Sequence, residues 1–290
     1  MLAPALQSKT GPQSQRVRCR QIAQSDLGAL AGLLTHGFPR SHHDSWTQGF
    51  ARMAALPPVE GMPRFGYVLE SESGIVGVLL LISSERANSP DKKPRIIANV
   101  SSWYVEPNWR THSTLLVAMA TKQKHVTYLN ASPAPHTWRT LQAQGFRPYN
   151  FGRSAAFPAL SFGGGHVSAI VPGDLPEHDL LVAHGGLGCV SLVCEKDGLV
   201  SPFVFRPKRL ERPNVAMMEL IYCRSTEDFA RCGAVLGRHL LKQGAMGVIL
   251  DGKITGMPAH YVVGKEPRYF KGPEAPSLND LAFTEKVIFP

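Results

Sequence analysis

The stretch that decides the fold is residues 99–149, NVSSWYVEPNWRTHSTLLVAMATKQKHVTYLNASPAPHTWRTLQAQGFRPY. It begins with a β-prone segment, residues 99–105, which a Glu-Pro-Asn step ends sharply. The run 109–121 then spaces its apolar residues as one face of a helix does. A turn that leaves a strand and opens a helix collects unpaired backbone N–H groups and the positive end of the helix dipole. The pattern therefore favours a bound phosphate or pyrophosphate.

The second part of this stretch repeats the same order. Residues 126–130 are a predicted short strand, and the Pro-Ala-Pro step that follows is a predicted turn. Residues 136–144 are a predicted helix, which Gly145 ends. Phe146 and Tyr149 begin a further predicted strand.

These residues resemble the acyl-CoA-dependent N-acyltransferases of the GNAT superfamily. In that family a strand ending in Val-x-Pro is followed by an arginine and a glycine-rich pyrophosphate turn. Four positions fit this pattern: Val105, Pro107, Arg110 and Leu116. A later family signature is an asparagine after a strand, then a helix and a Gly-Phe step, and Asn130 with residues 145–146 matches it.

The resemblance implies an α/β (α+β) fold, a mixed sheet flanked by helices, and a co-substrate that is acetyl-CoA or a longer acyl-CoA. It implies that the backbone N–H of Val105 holds the thioester carbonyl. The implied cofactor-binding residues are Val105, Arg110, Thr111, His112, Ser113, Thr114 and Asn130. The acyl group would pass directly to an amine, carried by a small molecule or a protein that the sequence does not identify.

Direct transfer also needs a base for the ammonium proton and an acid for the leaving thiolate. Glu106, at the strand end, and Tyr149, after the Gly-Phe step, are the candidate catalytic residues. Two other interpretations stay open at these positions. Glu106 can be a solvated turn carboxylate, and Tyr149 can be the cap of a strand.

Three positions depart from the family pattern. Ser113 and Leu115 stand where the family has small residues in the turn, and Leu141 stands where it often has a tyrosine acid. Glycine lets the backbone approach a pyrophosphate closely, whereas a leucine side chain is in the way. A second hypothesis is therefore a catalytically silent GNAT-like module that binds a partner.

Length and composition limit the number of domains and the classes of partner. With 290 residues, 43% hydrophobic and 18% charged, the chain can bury the core of one large domain or two smaller ones. The formal charge of +9 favours anionic partners, but no long Lys/Arg run indicates nucleic acid, which ranks third. Five cysteines without a C-x-x-C pair indicate a reducing, cytoplasmic setting and no metal site. No apolar run approaches the ~20 residues of a membrane helix.

The sequence predicts four segments along the chain. Residues 1–15 are a predicted disordered tail, because they mix Pro, Gln, Ser and Gly without periodicity. Residues 16–157 follow the order of elements in GNAT domains. The Gly- and Pro-rich residues 158–176 are a predicted interdomain crossing, and residues 177–290 a second, more degenerate GNAT-like domain.

Local signals in the second domain are clear in two places. Residues 190–195 and 199–205 form a predicted hairpin with Asp-Gly at its turn. Ser225 begins a capping-box-like start of a helix. At the end of the chain, residues 269–272 are a predicted turn and residues 281–289 a predicted final strand.

Overall fold

The computed structural model describes residues 16–86, 94–211 and 214–289. The predicted tail, residues 1–15, lies outside this part of the chain. The described residues form one 12-stranded mixed sheet with helices on both faces, so the predicted mixed α/β architecture is confirmed. Within the same residues, no helix combines the length and the apolarity needed to cross a membrane.

The elements follow one another in two comparable series. The first is β1 (Arg18–Gln21), α1 (Leu27–Gly37), α2 (His43–Ala55), β2 (Gly66–Ser71), β3 (Gly74–Arg86), β4 (Arg95–Val105), α3 (Ser113–Ala120), β5 (Thr127–Asn130), α4 (Trp138–Ala143) and β6 (Arg147–Ala156). The second is β7 (His166–Ser168), α5 (His178–Gly186), β8 (Val190–Lys196), β9 (Leu199–Leu210), β10 (Val215–Cys223), α6 (Thr226–Lys242), β11 (Val248–Asp251), β12 (Ala259–Lys271) and α7 (Glu285–Ile288).

The strand order has the same form when it is read from either edge: β1-β2-β3-β4-β5-β12-β6-β11-β10-β9-β8-β7. From each edge, five consecutive strands of one series are followed by the last strand of the other. β12 pairs with β5, β6 pairs with β11, and the two exchanged strands pair with each other at the centre. Each half of the sheet is therefore completed by a strand from the other half. The domain boundaries at 157 and 177 stay a prediction.

Different elements cover the two faces of the sheet. α3 and α4 pack on one face of the first half, and α6 packs on the same face of the second half. α1, α2, α5 and residues 281–289 cover the opposite face, where their apolar side chains share two adjoining clusters. The sheet therefore separates the side of α3 from the side of the C-terminal residues.

Two local predictions are confirmed in the second half. β8 and β9 form the hairpin, and Asp197 and Gly198 adopt φ values of 53° and 72°, as a tight hairpin turn of this type requires. The Ser225 side chain accepts a hydrogen bond from the Asp228 N–H at 3.0 Å and so caps α6.

The predictions for the end of the chain were wrong. Residues 281–289 are not a strand but an irregular segment with the short α7, which packs against a face of the sheet rather than along an edge. Residues 269–271 are not a turn but belong to β12. This strand escaped detection because Pro267 and Glu266, which has a φ of 49°, interrupt its periodicity where the register with β6 shifts.

Candidate active site

A gap opens between two parallel strands of the first half. β4 and β5 pair only from Ile97↔Thr127 to Asn99↔Leu129. β5 ends at Asn130, whereas β4 continues beside β3 to Val105. The far edge of β4 beyond Asn99 thus has no neighbouring strand in the described part of the chain. We call the gap between residues 100–105 and residues 130–132 the first fork, and its closed end at Asn99 the floor.

A β-bulge lies on β4 inside this fork. The register between β3 and β4 shifts between Val78 and Leu80, so that β4 carries one extra residue there. Ser102 lies in the bulge with a φ of 44°, a conformation that costs energy for a residue other than glycine. Bulges bend the strand that contains them. The bend therefore helps to turn β4 away from β5.

The backbone of Val105 is aimed into the fork. The Glu106 N–H donates to the Val76 carbonyl at 2.9 Å, and Val105 lies opposite Gly77. Hydrogen-bonded and non-hydrogen-bonded pairs alternate along an antiparallel ladder. The Val105 N–H therefore points away from β3 and into the fork, while its side chain is buried beneath α3.

The predicted pyrophosphate turn is a 3-10 helix, Pro107–His112, that continues directly into α3. The Ser113 N–H is used within the turn, since it donates to the Arg110 carbonyl. Arg110 is exposed and has no ion-pair partner among the described residues. The remaining predicted contacts surround it: Thr111 and Thr114 are exposed, and His112 and Ser113 are half-buried. Leu115 is 37% exposed on the first turn of α3, so its side chain occupies the approach to these groups.

Asn130 lies at the same opening as the turn. It is the last residue of β5 and pairs with Tyr269 of β12. Alternate residues of a strand share a face, and Tyr128 packs in the core beneath α3. The Asn130 side chain therefore faces the α3 side. The structure thus brings Val105, the turn and Asn130 together around the first fork.

Of the two predicted catalytic residues, Glu106 borders the first fork and Tyr149 does not. Glu106 follows Val105 at the open end, and its carboxylate has no hydrogen-bond partner among the described residues. Tyr149 lies on β6, which β12 separates from β5, and near the level of the floor, because its neighbour Pro148 pairs with Tyr269, which pairs with Asn130. Counted along β3, from Leu80 opposite Ser101 to Val76 beside Glu106, the two levels are about 13 Å apart. One thioester cannot meet both side chains.

Tyr149 faces the side opposite α3. Its ring packs edge-on against Phe270 at 5.8 Å, and its enclosed hydroxyl has no hydrogen-bond partner in the described part of the chain. Burial raises the pKa of the Tyr149 phenol far above its ordinary value, and the Asp251 carboxylate adds to the shift. The phenol is therefore a weaker acid than an ordinary tyrosine.

The second half has an equivalent gap, the second fork, between β10 and β11. These parallel strands pair only at Met218↔Val248 and Glu219↔Ile249, and β10 has a register irregularity after Leu220. Residues 279–281 fill this gap. The Leu281 N–H donates to the Ile221 carbonyl at 2.8 Å, and the Cys223 N–H donates to the Asn279 carbonyl at 3.3 Å.

The Asn279 side chain completes the closure of the second fork. Its Oδ1 accepts from the Asp251 N–H at 2.7 Å, and its Nδ2 donates to the Asp251 carbonyl at 3.2 Å. Asn279 is buried and has a φ of 63°, a conformation that asparagine tolerates better than most residues. The chain's own backbone therefore takes the place that stays open in the first fork.

A buried ionic network joins the two halves near the centre of the sheet. Arg268 of β12 bonds the Asp251 carboxylate at 2.8 and 3.0 Å and also donates to the Ala131 carbonyl, just past β5. Glu219 of β10 pairs with Arg153 and Lys286. Burial opposes ionisation of Glu219, but Lys286 and Arg153 outweigh it and hold its pKa well below the ordinary value. The network fixes β12 and the C-terminal residues against both forks.

Sequence reasoning missed three residues at the floor of the first fork. The Glu285 carboxylate accepts hydrogen bonds from Asn99 Nδ2 and Ser132 Oγ. Glu285 and Asn99 are 186 residues apart. No local sequence pattern predicts a contact over that separation.

Comparison with known proteins supports the fold. No family model matches the sequence, and a search among curated proteins finds no match. A GCN5-related N-acetyltransferase from Anabaena variabilis superposes with a TM-score of 0.60 at 12% identity, covering 88% of this chain and 72% of that one. Another from Kribbella flavida gives 0.53 at 13% identity, with 89% and 71% covered. A structure from Pyrococcus horikoshii gives 0.55 at 12% identity, with 96% of both chains covered.

The chain therefore has the fold of the GCN5-related N-acetyltransferases, and the resemblance predicted from residues 99–149 is confirmed at the level of the fold. At these identities the comparison shows the fold alone. The substrates and the activity have to be argued from the two forks.

Proposed function

We propose that the protein is an acyl-CoA-dependent acyltransferase that moves an acyl group from a CoA thioester to an amine at the first fork. The observation that carries this proposal is the difference between the two forks. The first fork is open and has the Val105 N–H turned into it, whereas residues 279–281 fill the second. Only the first fork leaves room for an extended substrate to add main-chain hydrogen bonds to a strand edge.

The residues around the first fork fit the parts of a CoA thioester. Arg110 is exposed, has no ion-pair partner among the described residues, and lies just before α3, where backbone N–H groups and the helix dipole also favour a pyrophosphate. Thr111, His112, Ser113 and Thr114 add donors beside it. The Val105 N–H would bind a carbonyl of the acyl-CoA arm, and Asn130 would face that arm from β5. Acetyl-CoA and longer acyl-CoAs both satisfy these contacts.

Tyr149 is poorly placed to protonate the leaving thiolate. It lies on β6, which β12 separates from β5, its hydroxyl is enclosed, and its raised pKa makes it a weaker acid than an ordinary phenol. Glu106 lies at the open end, so we assign it to the alternative that the sequence left open, a solvated turn carboxylate.

A silent GNAT-like module remains the second candidate, and two observations favour it. Leu115 occupies the approach to the turn, and Leu141, at the position of the family's tyrosine, is completely buried. A module of this kind would keep the fold and bind a partner without transferring an acyl group. It predicts no thioester cleavage with any chain length.

The experiment is calorimetric titration of the full chain with acetyl-CoA and with a long-chain acyl-CoA. Wild type is compared with Arg110→Ala and with Arg40→Ala, a matched control at an exposed arginine before α2 on the opposite face. We expect micromolar binding that Arg110→Ala weakens about tenfold, because a charge-assisted contact to phosphate is lost. Arg40→Ala should bind as wild type does.

Two other binding results would count against acyl transfer at the first fork. Equal binding by wild type and both variants would place the cofactor away from the first fork and contradict the proposal. No binding of either thioester would favour the silent module. All five cysteines are free, which agrees with the reducing, cytoplasmic setting that we propose for this reaction.

A further inference from the structure

Glu285 connects the two strands of the first fork at its floor. Its carboxylate accepts one hydrogen bond from Asn99, on β4, and one from Ser132, just past β5. Asn99 is the last residue of β4 that pairs with β5. The carboxylate therefore lies where the two strands begin to part. Glu285 is half-buried and Ser132 is exposed, so solvent reaches this point from one side.

The carboxylate lies on the face of the sheet opposite the pyrophosphate turn. Ala98 and Val100 pack in the core beneath α3, so Asn99 between them points to the other face. An acyl-CoA bound at the turn would enter the fork from the α3 side. A nucleophile held by Glu285 would therefore meet the thioester from the far side, without competing with CoA for space.

The floor of the fork has acceptors but lacks a donor. Asn99 is 1% exposed, and its Oδ1 accepts no hydrogen bond from the described residues. The amide cannot be turned around, because an ionised carboxylate only accepts and must face Nδ2. Glu285 itself has no ion-pair partner among the described residues, since the neighbouring Lys286 pairs with Glu219 and Glu266.

We propose that Asn99 Oδ1 and the Glu285 carboxylate bind the primary ammonium group of the acceptor, and that Glu285 is the base that deprotonates it. A primary ammonium carries a positive charge and three N–H donors, so it can bond both groups at once. This inference rests on the proposed acyl transfer at the first fork. It assigns the acceptor site and the base to residues at the floor of that fork.

The reaction balances with the groups present. Glu285 takes one proton from the ammonium, and the amine lone pair forms the C–N bond to the thioester carbonyl carbon. When the tetrahedral intermediate collapses, its C–S bond breaks. The attacking nitrogen passes its second proton to the thiolate. Glu285 releases its proton to solvent, so the products are an amide, free CoA thiol and one proton.

The position of Glu285 also fixes the depth of the thioester. Counted along β3, from Ile82 to Gly77, Val105 lies about 16 Å above Asn99, too far for a thioester held at the Val105 N–H to meet an amine at the floor. The Val105 N–H therefore holds an amide of the pantetheine arm, and the thioester reaches down to the level of Asn99. This changes the role that the family resemblance implied for Val105.

The test uses the full chain and a primary-amine probe, 1,5-diaminopentane, with tetramethylammonium as a cation that has no N–H. Both are titrated with and without CoA into wild type, Glu285→Gln and Glu274→Gln, a matched control at a tail carboxylate that is 71% exposed. We expect Glu285→Gln to weaken diamine binding at least about tenfold, and Glu274→Gln to leave it unchanged. Tetramethylammonium should bind all three proteins equally poorly. Circular dichroism checks that each variant is folded.

Acetyl-CoA titration and thiol release during transfer to the diamine separate this inference from acyl transfer itself. We expect Glu285→Gln to bind acetyl-CoA as wild type does, and to transfer at least about 100-fold more slowly. Three results would each overturn the amine site. These are no diamine binding by wild type, equal diamine binding by all three proteins, and unimpaired transfer by Glu285→Gln. If wild type does not bind acetyl-CoA, acyl transfer fails, whereas a selective loss of diamine binding in Glu285→Gln still supports the amine site.

Discussion

The two forks are built alike and end differently. Each lies between two parallel strands that pair over a few residues, and each contains a β-bulge on its longer strand. The first fork keeps a free strand edge, and Glu285 reaches only its floor. The second is closed by the backbone of residues 279–281. One C-terminal segment thus closes one fork and supplies a carboxylate to the other.

Two halves of one sheet with the same strand order therefore differ in what fills the gap between their parallel strands. A strand edge that binds no substrate still has N–H and C=O groups that must be satisfied when they are buried. The second fork satisfies them with the chain's own residues and so becomes a structural anchor. The first fork leaves them available. If the second fork is only an anchor, variants that open it should lower stability without changing binding at the first fork.

The largest effect is expected from removing the ionic contact between the forks. Arg268→Met leaves the buried Asp251 carboxylate without its main partner and removes the bond to the Ala131 carbonyl. We expect a loss of about 3–5 kcal/mol in the free energy of unfolding, measured by urea denaturation. Arg18→Met is the control, because Arg18 is 71% exposed in its pair with Glu70 and should cost less than about 1 kcal/mol. A similar loss in both variants would contradict the anchoring role.

The next effect concerns the closure of the second fork. Asn279→Ala removes two hydrogen bonds to Asp251 and places alanine at a φ of 63°. We expect it to lower the free energy of unfolding by about 3 kcal/mol. Asn279→Gly loses the same bonds without the backbone penalty and should cost about 1 kcal/mol less. Acyl-CoA binding should be unchanged in both, and a large loss of affinity would show that the forks are coupled.

A pH dependence is expected where the tail is anchored beside the second fork. His184 is fully buried, donates to the Leu180 carbonyl and accepts from the Phe283 N–H. Burial lowers its pKa from 6.5 to about 4. Because the unfolded chain takes up the proton first, stability is complete above about pH 6.5 and falls as the pH drops towards 4.

The measurement is urea denaturation between pH 7 and pH 4 for wild type and His184→Gln. The shift corresponds to roughly 2–3 kcal/mol that wild type loses over this range and the variant does not. His136→Gln, at an exposed histidine, is the control and should follow wild type. Parallel curves for wild type and His184→Gln would show that His184 does not hold the tail in this way.

The smallest effect is expected at the turn of the first fork. Leu115→Ala removes a partly exposed side chain from the approach to Arg110 and puts a good helix former in its place. We expect acyl-CoA to bind more tightly by less than about 1 kcal/mol, or up to roughly fivefold, in calorimetry. Val182→Ala, at a more exposed position on α5, should leave binding unchanged. Weaker binding in Leu115→Ala would mean that the leucine contacts the cofactor.

Local sequence signals were enough for much of the fold. The Asp-Gly hairpin at 197–198, the Ser225 cap of α6 and the strand-turn-helix order around Arg110 each depend on residues a few positions apart, and each appears in the structure. The family resemblance, rather than a local signal, grouped Val105, Asn130 and the turn, and the structure brings them to the same opening. Local signals missed β12, where Pro267 and the positive φ of Glu266 hide a strand that only its partners β5 and β6 stabilise.

Local patterns therefore account for most of the elements, though not for β12 or residues 281–289, and for the resemblance of the first half to the GNAT superfamily. The tertiary structure alone decided the exchange of β6 and β12, the closure of the second fork by Asn279, and the placement of Glu285 beside Asn99. The physical reason is the range of the interactions. Capping, turn geometry and periodicity act over a few residues, whereas strand exchange and buried polar contacts are settled only when distant segments compete for the same edge and the same acceptors.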